Sequence, residues 1–78
     1  MKVEILTPER SVFEGEAKAV SLPGTDGSLG ILNNHAPLIT TLTNGKVKLT
    51  MDNGSQEEFE VKGGTVEVLN NKVVILAE

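Results

Sequence analysis

His35 is the only histidine in the chain, and with Asp26 it is the pair around which a catalytic or metal site would have to be built. Neither cysteine nor tryptophan is present. Residue counts alone permit a Ser-His-Asp triad, but the Gly-x-Ser-x-Gly elbow that exposes a nucleophilic serine on a sharp turn is absent. Gly24-Thr25-Asp26-Gly27 lacks the lysine and the length of a phosphate-binding loop. Asp26 and Asp52 sit in turns with no second carboxylate at calcium-loop spacing. Glu57-Glu58-Glu60 reads as a solvated strand edge rather than as paired acids. The expectation is therefore no catalytic residue, no metal and no cofactor.

The stretch Gly24–Leu38, GTDGSLGILNNHAPL, concentrates the remaining candidates: three glycines, the pair Asn33-Asn34, His35 and Pro37. Loops on rigid scaffolds carry function more often than the scaffold does, and the flanking segments read as that scaffold. Lys2–Leu6 alternates, with Val3 and Ile5 on one face, as a half-buried strand does. Thr7-Pro8-Glu9-Arg10 breaks it. Ser11–Glu14 forms a short strand, and Gly15 marks a bulge or bend. Glu16–Leu22 reads as a strand whose buried face the alternation leaves open. Pro23 to Gly27 is turn chemistry, Ser28–Leu32 a short apolar strand, and Asn33 to Pro37 a second loop. Leu38–Leu42 is again extended.

Two hairpins have registers that follow from side-chain chemistry. A three-residue loop, Asp52-Asn53-Gly54, pairs Val47 with Phe59, Lys48 with Glu58 and Lys46 with Glu60. A two-residue turn would set Val47 against Glu60 and Leu49 against Glu58. Matched cross-strand pairs contribute roughly 0.2–1 kcal/mol each, which favours the longer loop with Gly54 left-handed. Asn70-Asn71 is a two-residue turn that sets Val68 against Val73 and Val66 against Ile75. Gly63-Gly64 marks a bend before that hairpin. No segment holds a 3.6-residue apolar period. Eight to ten short strands predict an all-β sandwich or flattened barrel with almost no helix.

With 78 residues, the chain is expected to form one domain over residues 1–78, burying roughly 60–65% of its unfolded surface. The only aromatics are Phe13 and Phe59, so the core must be aliphatic. No apolar run approaches the ~18 residues of a membrane span, and Met1-Lys2-Val3-Glu4 does not open a signal peptide. A net charge of −4 without a basic patch argues against nucleic acid.

Thr7-Pro8-Glu9-Arg10, Val12-Phe13-Glu14-Gly15, Pro23-Gly24, Gly27, Leu29-Gly30-Ile31-Leu32, His35-Ala36-Pro37-Leu38, Gly63-Gly64, Glu67-Val68 and Val74-Ile75-Leu76-Ala77 occur in an order that resembles the N-terminal β-domain of the F-type ATP synthase epsilon subunit, delta in mitochondrial naming. The resemblance covers essentially the whole chain. It implies a ten-stranded β-sandwich acting as a non-catalytic central-stalk rotor subunit between the gamma subunit and the polar loops of the c-ring. Location would be peripheral, at the cytoplasmic face of a bacterial inner membrane, with no direct membrane insertion. His35, Leu38, Thr40, Thr7 and Lys62 match the gamma-facing positions, and Asp26, Gly27, Ser28 and Leu29 the c-ring-facing turn. Ser28 departs from the family's usual glutamate, and Thr65 from its usual aromatic or aliphatic residue. The sequence stops at Glu78 without the two-helix domain of many epsilon subunits, so neither ATP binding nor an inhibitory arm is expected.

Two other readings of the residues stand beside this one. His35 also fits an ordinary loop histidine bonded to a backbone carbonyl, and the Asp26 turn an exposed tight turn that needs glycine. The whole chain also fits a generic β-sandwich adaptor binding a peptide at a sheet edge.

Overall fold

The structure, a computed structural model, describes all 78 residues. It contains nine strands and no helix: β1 (Lys2–Leu6), β2 (Ser11–Glu16), β3 (Ala19–Gly24), β4 (Gly27–Leu32), β5 (Leu38–Leu42), β6 (Gly45–Thr50), β7 (Gln56–Val61), β8 (Gly64–Leu69) and β9 (Lys72–Ala77). That is one strand fewer than the resemblance implied. One sheet runs β2-β1-β9-β8-β5 and the other β7-β6-β3-β4. They join where the tips of β3 and β5 meet at Gly24 and Leu42. All neighbours are antiparallel except β1 and β9, which pair in parallel from Lys2–Lys72 to Leu6–Leu76.

Alternation explains the core. Val3 and Ile5 of β1, Val47 and Leu49 of β6, Val66 and Val68 of β8, and Val73 and Ile75 of β9 all point between the sheets and are buried. No polar or charged residue is buried with them. Phe13 on β2 and Phe59 on β7 close one side, with ring centroids 5.8 Å apart and planes tilted by 57°, a geometry that suits aromatic pairs.

Both predicted hairpin registers occur. Val47 pairs with Phe59, Lys48 with Glu58 and Lys46 with Glu60. Gly54 takes φ +90°, and its N–H donates to Met51 O at 2.9 Å. Lys48 Nζ lies 3.5 Å from Glu58, and Lys46 Nζ reaches diagonally to the same carboxylate at 3.8 Å. Asn70 and Asn71 have φ of 52° and 60°, and Val68 opposes Val73 across that turn.

Three local expectations change. Glu16–Leu22 is not one strand. β2 holds its ladder through Glu16, opposite Lys2, and the chain then crosses between sheets. Ala17 N–H donates to Met1 O and Lys18 N–H to Thr50 O, so Ala17 and Val20 are both buried despite opposite parity. Gly15 is no bend either. The bulge lies at Val12, between the Ile5–Phe13 and Leu6–Ser11 pairs. Gly15 instead leaves room for the Phe13 ring, 3.1 Å from where its Cβ would sit. Pro23, expected in a turn, lies inside β3 opposite Ser28. Its missing N–H falls where the ladder passes from β6 to β5, so no pairing is lost.

Gly63 and Gly64, at φ +154° and +137°, make the predicted bend. A Cβ on Gly64 would lie 2.0 Å from the Leu76 carbonyl oxygen. Gly64→Ala should therefore destabilise the fold by about 3 kcal/mol, through positive φ and backbone collision together. Thermal unfolding should show a fall of roughly 12–24 °C; a melting curve like that of the parent chain would refute this account.

Candidate functional site: the two ends of the sandwich

The candidate residues fall at the two ends of the sandwich. One end carries the Asn33–Pro37 loop between β4 and β5, which is tied down from three directions. The Met1 ammonium, 3.8 Å from Glu16, donates to Asn33 Oδ1 at 2.6 Å and to Ala17 O at 2.9 Å. Asn34, at φ 62°, donates its N–H to Asn71 Oδ1 at 2.7 Å. His35 N–H donates to Leu32 O at 3.2 Å. The His35 ring is half-buried, with Nδ1 donating to Ala36 O at 2.7 Å. The backbone-bonded loop histidine is thus what the geometry contains, while Nε2 has no protein partner.

The other end carries the two-residue turn Thr25-Asp26 between β3 and β4. It needs two glycines. Gly27 takes φ +129°, and a Cβ on Gly24 would stand 2.5 Å from Gly27 O. The tip of β5 braces it: Thr25 N–H donates to Thr41 O at 3.1 Å, and the two threonine hydroxyls are 2.7 Å apart. Asp26 and Ser28 are exposed, whereas Leu29 is half-buried against the core.

Not all of the gamma-facing candidates cluster with His35. Thr7 and Lys62 lie at the Asp26 end, and the Thr7 hydroxyl is occupied within its own turn, facing Arg10 O at 3.2 Å and Arg10 N–H at 3.3 Å. Leu38 and Thr40 share the inward parity of buried Leu42, and Leu38 packs on the core. Leu38 is therefore a structural residue first, and an acidic replacement there would cost stability. The apolar residue that β5 presents outward is Ile39, 75% exposed. Its neighbours show this by alternation alone.

His35 and Asp26 stand at opposite ends, which removes the geometric basis for an active site built from that pair. No three histidine or carboxylate side chains come together as a metal site would require. No buried side-chain polar atom lacks a partner. What the molecule offers is surface.

Over residues 1–78 the chain matches the family described as the ATP synthase delta/epsilon chain, beta-sandwich domain. It is 42% identical over 77 residues to the ATP synthase epsilon chain of Chlorobium limicola, covering 99% of this chain and 88% of that relative. This chain belongs to the ATP synthase delta/epsilon family. The epsilon chains of Dichelobacter nodosus and Delftia acidovorans are 44% and 45% identical, and the chain spans 54% and 55% of their lengths.

The delta/epsilon fold is also seen in solved assemblies. A chain of the Euglena gracilis mitochondrial ATP synthase, OSCP/F1/c-ring in rotational state 1, superposes with a TM-score of 0.90 at 18% identity, over 96% of this chain and 48% of that one. A chain of the Tetrahymena thermophila mitochondrial ATP synthase central stalk/c-ring gives 0.81 at 24% identity, over 99% and 62%. At such identities the likeness is one of fold.

In this delta/epsilon sandwich the Met1–Asn33 contact is a link that sequence reasoning missed. Its partners are 32 positions apart and no local pattern joins them. A hydrogen bond to a charged group contributes about 1.5–3 kcal/mol. Asn33→Ala should therefore lower unfolding stability by about 1–2 kcal/mol, allowing for replacement by water. Equal urea midpoints for the two proteins would refute the link.

Proposed function

We propose that this chain is a non-catalytic central-stalk rotor subunit of an F-type ATP synthase that translocates protons or sodium. It would link the foot of the gamma subunit to the polar loops of the c-ring, so that torque from ion flow reaches the catalytic head. The observation that carries this reading is the family match along residues 1–78, joined to 42% identity across 88% of an epsilon chain. As part of a membrane-bound complex, the subunit would sit peripherally at the cytoplasmic face of a bacterial inner membrane.

The mechanism is mechanical. Nine paired strands around an aliphatic core resist shear, and the docking surfaces are separate regions of one stiff body, 28 Å in its longest dimension. His35, with Nε2 free, is the candidate contact to gamma at one end. Asp26, Gly27 and Ser28 form the exposed turn toward the c-ring at the other. Ser28 offers a hydroxyl where the family resemblance implies a glutamate, so an acidic contact with the ring would fall to Asp26. Thr40 is a secondary candidate on the gamma side, whereas Thr7 and Lys62 lie at the Asp26 end and would join it only where gamma reaches along the sandwich to that end.

Isothermal titration with the cognate gamma subunit tests the reading. One-to-one binding with a negative heat-capacity change is expected, because apolar burial produces that sign. Absence of heat and of complex formation between two folded proteins would overturn it.

A further inference from the structure

The four strands that end the two sheets are not protected alike. β2 carries Glu14, Glu16 and the bulge at Val12. β7 carries Glu57, Glu58 and Glu60. Charges and bulges are the means by which sheets deter pairing with another chain. β4 and β5 carry no charged residue at all. On β4, Leu32 O already accepts from His35, and Gly27 and Gly30 offer no side chain to pack against. That leaves β5.

The direction of β5's backbone groups can be read from its contacts. Thr41 O accepts from Thr25 N–H, and Thr43 N–H donates to Pro23 O, both across the side away from β8. Successive residues of a strand aim their N–H and C=O groups to alternate sides. Those of Ile39 therefore point away from β8 as well. On that side β5 pairs with β3 only at Leu42, and Ile39 has no turn or loop partner. Its N–H and C=O emerge together on an open edge, beneath the most exposed large apolar side chain of the molecule. Beside it lies a shallow, mostly apolar depression lined by Pro37, Leu38, Ile39, Glu67, Val68 and Leu69.

We propose that the gamma subunit docks by laying an extended segment along β5, exchanging main-chain hydrogen bonds with Ile39 and covering its side chain. This rests on the rotor reading and specifies how its gamma contact is made. An in-plane donor and acceptor on one residue are matched by the backbone of another extended strand, and strand addition of this kind draws affinity from main-chain bonds and specificity from alternate side chains. The added residues that flank Ile39 on the outer face should be apolar, because they pack against its exposed side chain. The edge lies next to the His35 loop, so His35 Nε2 would bond at the margin of the same interface.

Amide hydrogen exchange of Ile39, followed by NMR in the free chain and in its complex with cognate gamma, tests the mode. The amide should exchange freely in isolation and slow by about tenfold or more in the complex. Calorimetric binding with Ile39 exchange unchanged would overturn the strand addition and leave the partner in place. No calorimetric binding would overturn the rotor reading itself. A second measurement uses Ile39→Pro, which removes an N–H that no ladder bond uses and is tolerated on an edge strand. Its unfolding temperature should stay near that of the parent while gamma affinity falls by about tenfold or more, with Ile39→Val binding normally. Unchanged affinity of the proline variant would overturn the proposal. If that variant does not fold, the exchange measurement decides.

Discussion

A single layer of aliphatic side chains between two sheets bears the stability of this chain. Val3, Val47, Leu49, Val66, Val73 and Ile75 are entirely withdrawn from water, and each such side chain contributes roughly 1.5–3 kcal/mol by burial. There is no disulfide, and the two phenylalanines stand at the sheet margins rather than the centre. Strand side chains alternate, so a slip of one residue at any hairpin would turn a whole set of these groups into solvent. Register is therefore the quantity that the rest of the molecule must protect. The left-handed asparagines at 70 and 71, the bulged Gly54 and the bent Gly63-Gly64 do so through backbone angles alone.

A body held this way has little freedom to change shape, which suits a part that transmits force. The same rigidity divides the molecule into surfaces with distinct characters. One side is sealed by an aromatic pair between acidic edge strands, while the two uncharged edge strands lie at the opposite ends of the sheet order. The loop carrying His35 is anchored by an ammonium, two asparagine side chains and a backbone carbonyl. The Asp26 turn is anchored by Thr41 of β5. Function carried on such loops depends on a geometry that strands elsewhere maintain.

Much of the fold was legible in the amino-acid order where chemistry is local. Opposed lysines and glutamates select the three-residue loop between β6 and β7, and tandem asparagines select the two-residue turn between β8 and β9. The crossing at Ala17–Lys18 was not legible, because it is dictated by hydrogen bonds to Met1 and Thr50, distant in the chain. Pro23 reads as a turn residue by propensity, yet tertiary context places it in a strand where no donor is needed. Among the site residues, His35 and the Asp26 turn stood out as loops. The inward aim of Leu38 and the outward aim of Ile39 follow from alternation with Leu42, but the weight of a loop motif draws attention away from the strand beside it.

The parallel pairing of β1 with β9 also bears on how the domain is made. The first strand finds one of its two neighbours only when the last has been synthesised, about 70 residues later. At translation speeds of ~5–20 residues per second, that leaves β1 half-paired for roughly 4–14 seconds. Hairpins β3–β4 and β6–β7 can close on the nascent chain, but the sheet that joins beginning to end cannot. Folding is thereby committed to completion of the ninth strand, and contacts of such long sequence separation slow the search. A chain interrupted anywhere before Lys72 leaves β1 without its parallel neighbour, and Val3 and Ile5 without half of the sheet that covers them.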